Sequence, residues 1–237
     1  MSKEVFKEFF KHTLRWEGGG KLHNIKGDSG GWTIWGIAYN KNKHLFNSLE
    51  EFKKLSYEEA YHIAYNKYYL PIQTDKLPYN CQLLYFDMAY NMGNSRAIKI
   101  VQKCLGLKQD GVIGKITKSK LHLVDVECLY VQRNEWYKLL KNKTSWANKF
   151  YKGWMNRSKD IYEKSKNYEK QDTNSINNNT DSNSRGALDK EKYKGETTFS
   201  DPTKSKNSNI KDRLLNYIKK WNPKKISGRY PETEGDN

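Results

Sequence analysis

The chain has 237 residues, of which 36% are hydrophobic and 30% charged, and its formal net charge is +16. Residues 1–166 carry 29 Lys and Arg against 16 Asp and Glu, so most of the basic surplus belongs to the part that can build a core. Because charged residues interrupt every apolar run, we expect neither a signal-peptide core at the N-terminus nor a stretch long enough to span a bilayer.

The first predicted element is a helix over residues 3–16. Its apolar residues share one helical face, and its charged residues occupy the other. The run Gly18–Gly20 ends the helix, because glycine is the residue that most readily leaves helical geometry at a C-terminus. Glu17 is therefore predicted to lie at the junction between helix and loop.

Residues 20–40 combine glycines with short β-prone runs, which predicts a small hairpin or a three-stranded flap. The helical pattern returns after Ser48. Ser48 and Ser56 each precede a Glu by three residues, the spacing of a helix N-cap. Helices are predicted at about 49–54, 57–68, 79–91, 94–105, 114–120, 124–140 and 144–165. The fold class is therefore mainly α, with a small β-flap.

The C-terminal part changes character at residue 167. Asn, Ser, Thr, Lys and Asp dominate residues 167–208, too polar a composition to offset chain entropy by burial, so a flexible linker is predicted. Residues 209–237 begin with a basic amphipathic helix and end in a polar tail. That helix could contact an anionic membrane or cell wall, bind a partner such as a virion protein, or pack back on the domain.

Three cysteines lie among apolar residues of predicted helices, at positions 81, 104 and 128. Their number is odd, and none of their spacings matches a metal site. Free buried thiols are the expectation, which suggests synthesis in a reducing cytoplasm.

Glu17, Asp28 and Thr33 form the candidate catalytic group. Glu17 follows Trp16, and desolvation against an aromatic surface raises the pKa of a carboxyl, as a general acid requires. Asp28 lies among glycines in a predicted open loop, where an ionised carboxylate can activate water, and the Thr33 hydroxyl could hold that water. Spacing alone favours a structural interpretation, with a solvated Glu17, a turn-forming Asp28 and a strand Thr33.

Several motifs, which occur in the same order along the chain, resemble those of glycoside hydrolase family 108, a group of phage and bacterial lysozymes. The opening residues Trp16-Glu17-Gly18-Gly19, Asp28-Ser29-Gly30-Gly31-Trp32-Thr33 and Gly36-Ile37 resemble that family's first motif. Residues 86–93 look like its central motif, residues 101–117 like its predicted peptidoglycan-binding segment, and residues 133–157 like its closing helix. The resemblance covers about residues 3–165 and implies a lysozyme-like catalytic domain at 1–166, with the peptidoglycan-binding segment within about 70–166.

The resemblance implies cleavage of the β-1,4 bond between N-acetylmuramic acid and N-acetylglucosamine, with Glu17, Asp28 and Thr33 on the family's catalytic positions. Trp32 and Trp35 could stack on sugar rings or pack in the core. Tyr90 and Asn91 could form a cleft wall opposite Glu17, one helical turn from Asp87, or merely lie at a helix end. No metal or cofactor is implied.

Peptidoglycan is the expected partner, and no nucleic acid is expected, because no basic stripe alternates with exposed aromatic residues. The resemblance suggests synthesis in a host cytoplasm and action on the bacterial wall, after release through a holin or within a virion. The alternative is a virion structural or ejection component that keeps the lysozyme fold, with or without activity.

Overall fold

The computed structural model describes residues 3–24, 30–177, 210 and 212–214. Its helices within these residues are α1 (Lys3–Leu14), α2 (Tyr39–Asn42), α3 (Leu49–Lys53), α4 (Tyr57–Ala64), α5 (Tyr79–Met92), α6 (Asn94–Cys104), α7 (Lys115–Lys120), α8 (Val126–Lys143) and α9 (Asn148–Asn177). The strands are β1 (His23–Asn24), β2 (Trp32–Ile34) and β3 (Ile37–Ala38). The mainly helical class predicted from the sequence is confirmed.

The three strands form one antiparallel sheet in the order β1-β2-β3. Thr33 of β2 pairs with His23 on one side and with Ala38 on the other. The sheet follows α1 directly and ends in α2, so it lies beside the residues that leave the first helix. The predicted three-stranded flap is confirmed.

Helix α5 is the centre of the core. Most of its residues are buried, including the apolar run Leu83–Phe86 and Met88–Tyr90. A helix that is apolar nearly all round has to be covered on every side, and α1, α6, α8 and α9 pack against it. One charged residue, Asp87, lies in this run and is fully buried.

Both predicted N-caps are confirmed. The Ser48 hydroxyl accepts a hydrogen bond from the Glu51 backbone N–H at 3.1 Å. Ser56 and Glu59 form a reciprocal capping box at the start of α4. These caps supply partners for backbone N–H groups that a first helical turn leaves without one, and so they fix where α3 and α4 begin.

The expectation that all three cysteines are free thiols is wrong. Cys104 and Cys128 form a disulfide across 24 residues, with Cα atoms 5.8 Å apart. Cys104 ends α6 and Cys128 lies in the first turn of α8, and the packing of α6 on α8 brings these ends together. Cys81 is buried, as expected, and its Sγ contacts the Val124 carbonyl at 3.3 Å.

The predicted linker and terminal helix stay predictions, because the structure describes few of their residues. Helix α9 continues to Asn177, beyond the linker boundary predicted after residue 166. Most of residues 178–237, which include the remainder of the predicted linker and amphipathic helix, lie outside the described residues. None of the helices described has the length and apolar character that crossing a bilayer would require.

Three of the four residues described near the C-terminus pack back on the domain. Ile210 and Leu214 are buried in the common core. Between them, the Arg213 guanidinium donates to the Leu45 carbonyl at 2.8 Å and forms an ion pair with Glu51 of α3. Of the three roles that the sequence left open for the terminal helix, this contact favours packing on the domain.

Candidate active site

Glu17 occupies a turn immediately after α1. The Glu17 backbone N–H donates to the Leu14 carbonyl at 3.0 Å, which continues the helix by one turn. The next three residues, Gly18–Gly20, have φ values of 77°, 62° and 81°. Residues other than glycine rarely adopt these positive φ values. The three glycines therefore allow the chain to leave the helix at this point. The Glu17 side chain remains 18% exposed.

The Glu17 carboxyl lies between α9 and the turn that joins β2 to β3. Its Oε1 accepts a hydrogen bond from Arg157 Nη1 at 2.7 Å. On the sheet side it lies against Gly36, where an added Cβ would approach Glu17 Oε2 to 2.8 Å. The absence of a side chain at Gly36 therefore leaves the space that the carboxyl occupies. The guanidinium of Arg157 is a partner that the sequence did not predict for Glu17, and it reaches the carboxyl because α9 packs beside the end of α1.

Arg157 binds a second carboxylate, that of Asp87 in α5. Arg157 Nη2 lies 2.8 Å from Asp87 Oδ1, and Arg133 Nη2 of α8 lies 2.7 Å from Asp87 Oδ2. Burial alone would raise the pKa of the Asp87 carboxyl, but the two guanidinium groups hold that pKa below its ordinary value of 3.8. Two arginines and two carboxylates thus form a charge-balanced network beneath the candidate site.

The network continues from Arg133 to Asn91. Arg133 Nε donates to the Tyr137 hydroxyl at 3.1 Å, and that hydroxyl donates to Asn91 Oδ1 at 2.7 Å. Asn91 lies near the end of α5 and is half-buried. A continuous chain of polar contacts therefore joins Glu17 to Asn91 through α9, α5 and α8. The role predicted for Asn91 in the wall of the site stays a prediction.

Thr33 lies in the central strand of the sheet and is partly buried. Its hydroxyl donates to the Gly31 carbonyl at 3.4 Å. Asp28 lies in the loop between β1 and β2, outside the described residues. The roles predicted for Asp28 and Thr33 in holding water therefore stay predictions.

The tryptophans of the sheet have different environments. Trp32 is half-buried, with the Lys53 ammonium 4.8 Å from its ring centre. Trp35 has a φ of 55°, and its indole N–H donates to the Leu55 carbonyl at 2.8 Å. Its ring also covers Gly20, where a side chain would collide with it. Trp35 thus anchors the sheet to the segment after α3 and to the loop after Glu17.

Tyr90 was predicted to bind substrate, but the structure places it inside the core. It is 2% exposed, and its hydroxyl donates to the Trp35 carbonyl at 2.6 Å. The physical reason is that α5 is surrounded by other elements, so a residue in its last turn can face inward even near the site. Its hydroxyl holds the β2–β3 turn, and hence Gly36, close to Glu17.

An open groove of about 530 Å³ borders the other side of the α1 end. The Trp16 indole N–H donates to Asp160 Oδ2 of α9 at 2.8 Å. The groove is lined by Arg15, Trp16, Asn156, Lys159, Asp160 and Glu163. Trp16 and Glu17 therefore both contact α9, about one helical turn apart, and this double contact fixes the direction in which the chain leaves α1.

The contributions of Asp87, Arg133 and Arg157 were not identified from the sequence. One signal was present: Asp87 is the only charged residue in the apolar run 83–90, and a carboxylate in such a run requires a buried cationic partner. The identity of that partner depends on packing across 46 and 70 residues of sequence.

Comparison with known proteins supports a specific kind of chemistry for this site. Residues 10–93 match the family model described as Glycosyl hydrolase 108, and this range contains Glu17, Gly36 and Asp87. A solved structure, that of Brucella abortus SagA, is similar with a TM-score of 0.60 and 26% identity. The alignment covers 70% of this chain and 97% of that one. No match is found among curated proteins.

Proposed function

We propose that the chain cleaves the β-1,4 bond between N-acetylmuramic acid and N-acetylglucosamine in peptidoglycan, on the premise that residues 10–93 match the Glycosyl hydrolase 108 family model. The family match and the similarity to SagA support a glycoside hydrolase of the lysozyme type that acts on peptidoglycan. The observation that carries the finer proposal is the position of Glu17. Its carboxyl is partly exposed and is held on both sides by distant parts of the fold.

Glu17 is the general acid of the proposed reaction. Its carboxyl gives a proton to the glycosidic oxygen as the bond to the sugar carbon breaks. Arg157 fixes the carboxyl through Oε1, and Asp87 offsets much of the positive charge that Arg157 brings to the site. Because two carboxylates share Arg157, Glu17 is oriented without being confined to a one-to-one ion pair.

Asp28 is the proposed partner of Glu17, with Thr33 helping to place a water molecule. Water adds to the sugar carbon and loses a proton to the Asp28 carboxylate, so the glycosidic bond is replaced by two hydroxyl groups. An inverting reaction needs roughly 6.5–9.5 Å between the carboxyl groups, and a retaining one roughly 5–5.5 Å. A transglycosylase would need Glu17 but not Asp28, and its product would be an anhydro sugar.

The bacterial wall is the proposed place of action, reached from a phage-infected host cytoplasm through a holin or within a virion. The basic surplus of residues 1–166 favours contact with an anionic wall, and this attraction weakens as salt screens it. The Cys104–Cys128 disulfide fits an enzyme that works outside a reducing compartment.

The first test is hydrolysis of purified peptidoglycan by the wild type and by Glu17→Gln. Loss of the general acid should lower the rate by roughly 10²–10⁴-fold, because the amide cannot supply the proton. Glu8→Gln is the matched control, since Glu8 is exposed on α1, the helix that precedes Glu17, and its substitution should leave the rate unchanged. Equal hydrolysis by the wild type and Glu17→Gln would exclude this site.

The reaction products distinguish hydrolysis from the transglycosylase reaction. Mass spectrometry of fragments released by the wild type should show reducing muramic acid ends, which add the mass of water. Asp28→Ala should reduce their yield. Anhydro products that persist in Asp28→Ala would contradict hydrolysis and indicate a transglycosylase.

A further inference from the structure

Three aromatic residues form a surface cluster where α9 begins. Trp146 and Phe150 are 40% and 51% exposed, and Trp154 is half-buried behind them. The Phe150 and Trp154 rings are stacked with centroids 5.9 Å apart, and Trp146 meets Trp154 edge-on at 5.8 Å. We call Trp146, Phe150 and Trp154 the aromatic platform. Contiguous exposed aromatic surface of this kind marks an interaction site more often than a scattered apolar residue does.

The platform lies on the same helix as the residue that holds Glu17. Phe150, Trp154 and Arg157 have the i, i+4, i+7 spacing of a single helical face, and Arg157 holds Glu17. The distance from Phe150 to Arg157 along the axis is about 10 Å, at about 1.5 Å per residue. That length is comparable to one disaccharide repeat of a β-1,4-linked glycan.

A second connection runs through α8. The Trp154 ring is stacked on Tyr137 at 5.1 Å, and the Tyr137 hydroxyl donates to Asn91. The rings are therefore braced by the same residues that form the polar network beneath Glu17. Rigid, braced rings lose little side-chain freedom when a ligand covers them, which favours binding.

Lysines are neighbours of the platform residues in the sequence, and one lies over an adjacent ring. The Lys141 ammonium lies 4.6 Å from the ring centre of Tyr151, and Lys149 and Lys152 are exposed in the first turns of α9. Aromatic faces present stacking surface for the C–H faces of sugar rings, while ammonium groups attract carboxylates. Peptidoglycan carries both features, as sugar rings with lactyl and peptide carboxylates attached.

We infer that the aromatic platform is a glycan-binding subsite, which holds sugar rings of the peptidoglycan strand beyond the bond positioned at Glu17. The inference rests on the proposed function, since it assigns the strand of that reaction to the platform. The platform would increase the affinity for long glycan strands, while Glu17 carries out the chemical step.

Binding is measured in the Glu17→Gln background, so that the strand stays intact. Trp146→Ala/Phe150→Ala should bind purified peptidoglycan sacculi roughly tenfold more weakly, the loss expected for removing about 1.4 kcal/mol of ring contact. Trp146→Phe/Phe150→Tyr keeps the rings and should restore binding. Leu123→Ala, which removes a 62% exposed apolar side chain outside residues 101–117, is the control that should bind normally. Thermal unfolding checks that each variant is folded.

Anionic phosphatidylglycerol vesicles are the second probe. Equal binding of sacculi by the platform variants and the control would overturn the inference. So would a loss confined to vesicles, which would identify a lipid surface instead. The expected result is weaker binding to sacculi alone.

Hydrolysis distinguishes this inference from the proposed function. In the otherwise wild-type chain, Trp146→Ala/Phe150→Ala should raise KM for intact strands and leave kcat unchanged. If the wild type cleaves no glycan, the proposed function fails, and the sacculus-binding comparison still decides whether the platform is a glycan subsite.

Discussion

Arg157 is the residue on which the site depends most. It contacts Glu17 at 2.7 Å and Asp87 at 2.8 Å, and Asp87 also binds Arg133 at 2.7 Å. Opposite charges removed from water require this mutual compensation, and removal of one member of such a group typically costs 3–5 kcal/mol. The same contacts that stabilise the fold at α5, α8 and α9 therefore also determine where the Glu17 carboxyl lies.

We predict that the free energy of unfolding depends on pH through the Asp87 carboxyl. Because the folded pKa of Asp87 lies below its ordinary value of 3.8, the unfolded chain takes up a proton first as pH falls. The stability that Asp87 contributes is thus complete well above pH 4 and declines as pH drops below that value. In Asp87→Asn, the free energy of unfolding should be lower at pH 7 and should fall less steeply between pH 5 and pH 3.

Urea unfolding followed by circular dichroism at several pH values measures this difference. If Asp87→Asn is too unstable to measure, the wild-type Asp87 carboxyl can be titrated by carbon NMR. A titration midpoint at or above 3.8 would contradict the prediction.

At the scale of elements, the β2–β3 turn controls the space around Glu17. Gly36 has a φ of 74° and no room for a Cβ, and the Tyr90 hydroxyl holds the neighbouring Trp35 carbonyl in place. A three-stranded sheet with only two or three residues a strand has little stability of its own. Its contacts with α2 and with Tyr90 of α5 therefore determine its position.

Gly36→Ala should lower the rate of peptidoglycan hydrolysis by about 100-fold, because its Cβ displaces a catalytic carboxyl and small displacements cost this much. The matched control is Gly106→Ala. Gly106 has a φ of 65°, but nothing lies within 4 Å of its added Cβ. Both variants should lose about 1–2 kcal/mol of stability from backbone strain. Equal rates in the two variants would show that crowding at Gly36 does not matter.

The disulfide between α6 and α8 is a second feature at this scale. Closure of a loop of 24 residues is expected to stabilise the fold by roughly 3 kcal/mol through the unfolded state. Cys104→Ser/Cys128→Ser should be destabilised by about that amount. Reductant should lower the unfolding temperature of the wild type and leave that of the double variant unchanged. A wild type insensitive to reductant would argue against the bond.

For the whole molecule, the C-terminal contact unites residues far apart in sequence. Arg213 binds both Leu45 and Glu51, at sequence separations of 168 and 162 residues, while Ile210 and Leu214 join the core. Burial of two apolar side chains exceeds what an exposed ion pair contributes, so the apolar contacts provide most of the stabilisation. The terminal segment is thus part of the folded domain at this point.

A double-mutant cycle tests that contact in the full chain. Arg213→Ala and Glu51→Ala should each lower the free energy of unfolding, and the double variant should lose less than their sum, with a coupling of about 1 kcal/mol. Strict additivity would mean that the two side chains do not meet in solution. Equilibrium urea unfolding of the four proteins supplies the measurement.

The sequence by itself determined the helices, the small sheet, the two serine caps and the place of Glu17 after α1. Each of these features depends on residues that are close in sequence. The spacing of apolar residues determines which face of a helix is buried, Ser56 caps a helix through Glu59, and the consecutive glycines Gly18–Gly20 end α1. The resemblance to family 108 likewise followed from ordered local motifs, and the match over residues 10–93 confirms it.

Only the tertiary structure decided what surrounds these elements. Arg157 lies 140 residues from Glu17, Cys128 meets Cys104 through helix packing, and Tyr90 turns inward because α5 is covered on all sides. The local spacing of apolar residues predicts which face of a helix is buried, but it does not predict which other helix packs on that face. The partners of Glu17 are therefore set by the packing of α9 against α1 and α5, since contacts between distant segments exist only once the chain has folded.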